Sequence, residues 1–242
     1  MRPNADRTGV VFGIDAKVPE HRGNAAQRRE HDKRIGAGTM SGAGAACPCC
    51  ATIMTMGNLR LEGRAGRLGA AMTAVVVDAP LGREYRVPTL HEIEMAAAAG
   101  AELDTVFADV PFGLPTESTP KGGSGAARAF SVDGYGLDRW FKLFLPRQLM
   151  ALGQLVVAGR KTVDALRNKN YECGWIEAIV AAIALGIDRT ADRGSSICRP
   201  DPTPTQRGII NTFSRFALPI AGPTSCGRPP GRRSKPTAAI RW

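Results

Sequence analysis

No hydrophobic run in this sequence is long enough to cross a membrane. The longest charge-free apolar stretch, Ala178–Ile187, covers ten residues, where a spanning helix needs about 20. No apolar run follows the opening M-R-P-N-A-D-R-T, so no secretory signal is expected and a soluble, cytoplasmic chain is. With 28 Gly and 17 Pro in 242 residues, the chain falls short of a collagen or low-complexity composition, yet has enough of both to predict a loop-rich fold. No G-x-G-rich turn follows a strand pattern, so no nucleotide cradle is visible. A second C-x-x-C is missing, and His21, His31 and His91 form no H-x-x-x-H pair.

Acidic residues are missing from one end. Residues 221–242 hold five Lys/Arg and no Asp/Glu, so half of the formal charge of +10 sits in a 22-residue Pro/Gly/Arg-rich tail. Residues 1–46 carry a net +3 and residues 47–220 only +2. A tail of this composition cannot bury enough apolar surface to fold alone, and a disordered end is expected there. Total charge therefore does not by itself establish nucleic-acid binding.

The six cysteines, at positions 47, 49, 50, 173, 198 and 226, are not spread as a secreted disulfide framework would be, and reduced thiols are expected. Within C-P-C-C, Cys47 and Cys50 have the C-x-x-C spacing that lets one tight turn aim two thiolates at one metal, with Pro48 helping to fix the turn. That is half a zinc site, because a ribbon needs four ligands. A turn of thiols without metal is the plainer alternative.

Hydrophobic patterning predicts a strand within Val10–Ile14 and a hairpin from Ala71–Val77 and Arg83–Val87. It predicts a helix from about Leu90 to Leu103 capped by Thr89, then a Pro/Gly/Ser/Thr-rich loop over 108–136. Two strong helices follow, Pro146 to about Lys169 and Glu172 to about Arg193, close enough in sequence to form an antiparallel pair. The second is apolar around most of its circumference, which predicts burial on more than one side. The chain divides accordingly. Residues 1–46 form a poorly ordered start with one strand, 47–107 a partial zinc-ribbon or insert region, and 108–136 the loop. A helical part occupies 137–220, and 221–242 is the basic tail.

Three further patterns bear on chemistry. D-V-P-F at Asp109–Phe112 comes within one residue of the D-P-P-Y of amino-group methyltransferases, in which an acid and a carbonyl accept from the target amine and an aromatic ring stacks on the extruded base; in a Pro-rich loop it reads as coincidence. Asp188/Asp192 and Arg189/Arg193 lie at i,i+4 at the end of the second helix, the ordinary pattern of a solvated helix end. Beyond them, Arg189, Arg193, Arg199, Arg207 and Arg215 cluster around S-S-I-C-R and N-T-F. Small hydroxyls, an amide and guanidinium groups are what a phosphate-tracking surface needs, so these five are the candidate DNA-binding residues. A purely structural role accounts for the hydroxyls nearly as well.

Taken in order, G-T-M…A-C-P-C-C, Y-R-V-P-T, P-K-G-G-S-G-A-A-R-A-F-S-V, Y-G-L-D-R-W…L-F-L-P-R-Q-L-M-A-L, D-R-T-A-D-R-G-S-S-I-C-R and N-T-F-S-R-F-A-L-P resemble the adenine-specific DNA methylases that contain a zinc ribbon. The resemblance covers roughly residues 10–220 and keeps order and approximate spacing. It implies an α/β fold, a Rossmann-like methyltransferase core with a zinc-ribbon insert, of which this piece is expected to be mostly α-helical with a few short strands. It also implies S-adenosylmethionine as the cofactor of the full-length family, DNA as the partner and the adenine amino group as the acceptor. The family's C-P-x-C-G knuckle corresponds to Cys47–Ala51, with alanine where the family has glycine, and the family's other cysteine pair lies upstream. The family's cofactor turn, upstream of the ribbon, and its D-P-P-Y, downstream of A-L-P, have no counterpart here. The expectation is a central portion of such an enzyme, with no catalytic or cofactor residue of its own and inactive alone. A separately encoded remainder is then a further partner. The alternatives are a DNA-binding or partner-complementing module without catalysis, and a non-functional truncated product.

Overall fold

The computed structural model describes residues 1–14, 23–35, 38–41, 43–80, 82–121, 132–200, 209–210 and 212–213. The expected tail over 221–242, the segment 122–131 with its P-K-G-G-S-G run from Gly122 onward, and Arg207 and Arg215 lie outside them. The chain divides into two compact units, which among the described residues fall within Met1–Leu90 and His91–Pro219. Helices predominate, with a few short strands, and every strand pair among the described residues is antiparallel. A parallel sheet of Rossmann type is thus not found among them. No helix among the described residues is long and apolar enough to cross a membrane.

In the first unit, β1 (Arg2–Pro3) pairs with β2 (Val10–Val11). Asn4 closes the loop between them, its backbone N–H donating to Gly9 O and its side-chain Oδ1 accepting from Gly9 N–H. Helix α1 (Ala25–Ile35) follows. The residues 1–46, expected to hold a single strand, therefore hold a hairpin, a helix and the strands β3 (Met40–Ser41) and β4 (Gly44–Ala46). Helix α1 escaped the periodicity argument because A-A-Q-R-R-E-H-D-K-R-I has no apolar face to detect.

Strands β3, β4 and β5 (Ile53–Thr55) form a three-stranded sheet. Gly44 has φ of +148°, and a Cβ there would stand 2.2 Å from Met54 O, so only glycine lets β5 approach β4 at that point. Thr55 ends β5 and caps α2 (Met56–Arg64), its hydroxyl accepting from Asn58 N–H. The α2 side chain Leu59 is buried with Ala45. The expected hairpin is present as β6 (Val75–Ala79) and β7 (Gly82–Arg86).

The second unit is built from α4 (Leu103–Ala108), α5 (Pro146–Asn168) and α6 (Cys173–Arg193), with α3 (Leu90–Ala98) beginning at the unit boundary. The single helix expected over 90–103 is two, because the chain turns at Ala99–Glu102. The loop expected over 108–136 is partly pinned. Trp140 N–H donates to Glu117 O, Thr119 N–H to Asp138 O and Thr119 Oγ1 to Leu137 O, so 115–119 runs beside 137–141. Pro146 opens α5 and Gln148 accepts the Leu145 N–H at 2.7 Å.

Packing of α5 depends on two glycines. A Cβ on Gly153 would lie 2.7 Å from Val106 Cγ1, and one on Gly159 would lie 3.2 Å from Ile183 Cγ2, so α4 and α6 both approach the α5 backbone. Two adjoining clusters form the core: Val132, Leu137, Leu143 and Ile197, and Val106, Phe107 and Leu149, with Phe144 packed against both. Helix α6 was expected to be buried on several sides, yet Ile176 is its one buried residue, and Trp175 and Leu185 remain 65% and 71% exposed. Among the described elements α5 and β9 (Ile209–Ile210) pack on α6, and they cover one side of a helix that is apolar on several.

Candidate functional site

Cys47 and Cys50, the two expected metal ligands, sit on the turn joining β4 to β5. Cys47 N–H donates to Thr52 O at 2.9 Å and Ala51 N–H donates to Cys47 O at 2.8 Å, so the chain reverses tightly through Pro48, Cys49 and Cys50. Ala51 has φ of +59°. An alanine thus adopts the left-handed backbone conformation that glycine takes most readily, at a steric cost of about 1–2 kcal/mol. Cys47 is buried, whereas Cys50 is exposed with its Sγ donating to Thr52 Oγ1 at 3.3 Å.

Cys49, the third thiol of C-P-C-C, is directed elsewhere. Its Sγ donates to Gly9 O at 3.2 Å, tying the turn to the β1–β2 hairpin. Burial pushes this thiol above the ordinary cysteine range, and the Cys47 thiol beside it adds to the shift. Sequence spacing gave no sign of this tether, since its acceptor lies 40 residues earlier.

Zinc takes four ligands in a tetrahedral structural site. Among the described residues no group of three or more His, Cys, Asp or Glu side chains is gathered as such a site needs. Among the described residues the turn offers two thiols, Cys47 buried and Cys50 exposed, and no further donor is gathered with them to make up a zinc site.

The S-S-I-C-R and N-T-F segments meet at the end of α6. Ser196 donates through both its N–H (2.8 Å) and its Oγ (2.6 Å) to Leu143 O. Thr212 Oγ1 lies 2.9 Å from Ala191 O and 2.7 Å from Asp192 O, and Thr212 N–H donates to Asp192 O at 2.6 Å. Cys198 Sγ lies 3.2 Å from Thr212 Oγ1, 3.4 Å from Ser195 Oγ and 3.3 Å from Asp192 O. Ser195, Ser196, Cys198 and Thr212 are all buried. Phe213 completes the junction with an edge-on contact to Trp140, ring centroids 6.1 Å apart. The last carbonyls of α6, which no residue of the helix can satisfy, are thus capped from a segment 20 residues downstream. These hydroxyls are spent inside the fold and are not presented to a phosphate.

Of the five candidate DNA-binding arginines, Arg189 and Arg193 are exposed one turn apart on α6. Arg199 lies in β8 (Arg199–Pro200), its Cα opposite Ile210. Arg207 and Arg215 are outside the described residues, so no five-arginine surface is assembled among the described ones. The D-V-P-F segment forms the turn after α4: Asp109 caps that helix and Phe112 is fully exposed at φ of +65°. Leu143 through its carbonyl and Thr212 through its hydroxyl organise the site; N-T-F was expected at a phosphate-facing surface, and spacing gave Leu143 no part in it. Comparison of the chain with family models, curated proteins and solved structures finds no match.

Proposed function

We propose that this chain is the interior portion of a zinc-ribbon, S-adenosylmethionine-dependent adenine-specific DNA methylase. In this reading it contributes scaffold and DNA-facing surface but neither a cofactor turn nor an acceptor motif, and is inactive alone. What carries the reading is the ordered series of motifs together with where four of them lie. Residues of Y-G-L-D-R-W, L-F-L-P-R-Q-L-M, S-S-I-C-R and N-T-F share one buried junction through Leu137, Leu143, Ile197 and Thr212. Motifs preserved for one core are expected to meet in this way. The uncovered apolar side of α6 supports it as well: Trp175 and Leu185 mark a face that a larger protein would cover.

The test is transfer of a labelled methyl group from S-adenosylmethionine to adenine-containing DNA. The purified chain is assayed alone and together with a separately expressed polypeptide that supplies the cofactor turn and D-P-P-Y. The expected result is no transfer alone and transfer in the mixture. Turnover by the chain alone overturns its assignment as an incomplete catalyst, and no transfer in the mixture overturns complementation.

Exposed Arg189 and Arg193 favour a second reading, a DNA-binding module without catalysis. Its test is a gel-shift salt series, because binding that comes only from phosphate contacts fades steeply with salt.

A further inference from the structure

We propose that β7 is a self-pairing edge: two copies of this chain join through their β7 strands, antiparallel about a two-fold axis at Tyr85, into one four-stranded sheet. This inference stands apart from the methylase reading and is argued from the β6–β7 hairpin alone. Among the described strands β7 is bonded to β6 and to no other. Glu84 is exposed, and Tyr85 and Val87 are 57% and 48% exposed. A strand edge in that condition offers a row of backbone groups to another chain.

The register of the hairpin says which groups these are. Ala79 opposite Gly82 closes the turn, and Val77–Glu84 and Val75–Arg86 follow at every second pair. A two-residue turn closes on a hydrogen-bonded pair, so Glu84 and Arg86 spend their backbone groups on β6. Those of Arg83 and Tyr85 point away from it, as do those of Val87, which Pro88 keeps extended. An antiparallel partner therefore bonds through positions 83, 85 and 87.

Three two-fold registers pair two or more of these positions with one another, and charge chooses among them. An axis at position 84 sets Glu84 against Glu84 of the second copy, and an axis at position 86 sets Arg86 against Arg86. An axis at Tyr85 sets Glu84 of each copy against Arg86 of the other, in the non-bonded pairs where side chains approach most closely. The guanidinium's five donors let Arg86 take that carboxylate while keeping its 3.4 Å contact to Val87 O. On the other face Val76 lies opposite Tyr85 and is 51% exposed, so the two tyrosines meet at the axis with a valine on either side. The edge of β6 has no such arrangement: Asp78 is its one charge and has no cation on that edge to meet. Contacts repeated by a two-fold axis in this way are how closed dimers form.

The experiment follows the full-length chain by sedimentation equilibrium and amide exchange from about 10 μM to about 1 mM, a range suited to so short an edge. The expected result is a reversible monomer–dimer equilibrium, with exchange at Arg83, Tyr85 and Val87 slowing as dimer forms. Exchange at Glu84 and Arg86 stays slow at every concentration, in the parent and in each variant, which verifies the hairpin. Glu84→Arg, at an exposed position, weakens the dimer at least about tenfold, because it meets Arg86 in both pairs. Glu84→Arg combined with Arg86→Glu restores the dimer, since the two charges are then exchanged and not removed. A chain that stays monomeric throughout the range overturns the proposal. So does a dimer that leaves exchange at Arg83, Tyr85 and Val87 unchanged, or one that the double variant fails to restore.

Discussion

Replacing Thr212 by valine keeps the shape of a fully buried side chain and removes only its hydroxyl. That hydroxyl has a single proton to share between Ala191 O at 2.9 Å and Asp192 O at 2.7 Å. After Thr212→Val, Asp192 O keeps the Thr212 N–H at 2.6 Å and the Cys198 thiol at 3.3 Å, while Ala191 O keeps the Gly194 N–H at 3.4 Å. The loss is therefore one good hydrogen bond plus a carbonyl left with a long partner, about 1–2 kcal/mol. Ser196→Ala is the matched control. Leu143 O retains the Ser196 N–H at 2.8 Å, so no acceptor is stranded and the expected cost is smaller, about 0.5–1 kcal/mol. Urea unfolding reads both as a lower midpoint at unchanged slope, and amide exchange is expected to quicken in the last turn of α6 for Thr212→Val. An unchanged midpoint for Thr212→Val, or a larger loss for Ser196→Ala, would refute the view that these hydroxyls hold α6 in place.

Gly153→Ala gains about 1 kcal/mol of helix propensity, but its Cβ meets Val106 Cγ1 at 2.7 Å and Phe107 Cε2 at 3.2 Å. A net destabilisation of about 1–2 kcal/mol in urea is expected, and a stabilised variant contradicts the close α4–α5 approach. Ala51→Gly relieves a φ of +59° while loosening the unfolded chain, for a net gain of about 0.5–1 kcal/mol in the same assay. Asp138 has its carboxyl held below the usual range by the Lys142 ammonium 2.5 Å away. That contribution is present above about pH 3.9, the unfolded value, and is lost as pH falls through the depressed folded value. Both side chains are 40% or more exposed, so Lys142→Met is expected to lower stability by only about 0.2–0.5 kcal/mol at neutral pH, and by progressively less as the pH falls below the unfolded value.

The two long helices were legible almost to the residue, Pro146–Asn168 against an expected Pro146 to Lys169 and Cys173–Arg193 against Glu172 to Arg193. A proline at the first helical position and a sustained 3.6-residue period are strong signals. The β6–β7 hairpin was legible too, but β6 begins at Val75 and not at Ala71. Pairing starts with Val75 opposite Arg86, and Pro88 follows too closely for the partner strand to extend. Among the strands of two and three residues in the first unit, β2 falls within the strand expected at Val10–Ile14; the others carry no pattern long enough to read. At the β4–β5 turn, spacing singled out Cys47 and Cys50, but the tether of Cys49 to Gly9 joins residues 40 apart. The α6 junction was hidden for the same reason, because Ser196 and Leu143 are separated by 53 residues and neither belongs to a motif that names the other.

Helix α6 is where local sequence and tertiary structure disagree most, and the disagreement has physical content. Its composition demanded cover on several sides, and the unit that contains it leaves Trp175 and Leu185 mostly in water. Burying a side chain of that kind contributes about 1.5–3 kcal/mol, so two left exposed forgo a sizeable part of the 5–15 kcal/mol that holds an ordinary domain together. The polar positions on the same helix are not arranged to offset this. Asp188, Arg189, Asp192 and Arg193 are concentrated in its last two turns, leaving the apolar stretch Ala178–Ile187 without a single charge. Because the Ser195–Cys198 and Thr212 contacts fix the C-terminal end of α6 to its own unit, that end is held while the apolar side is presented outward.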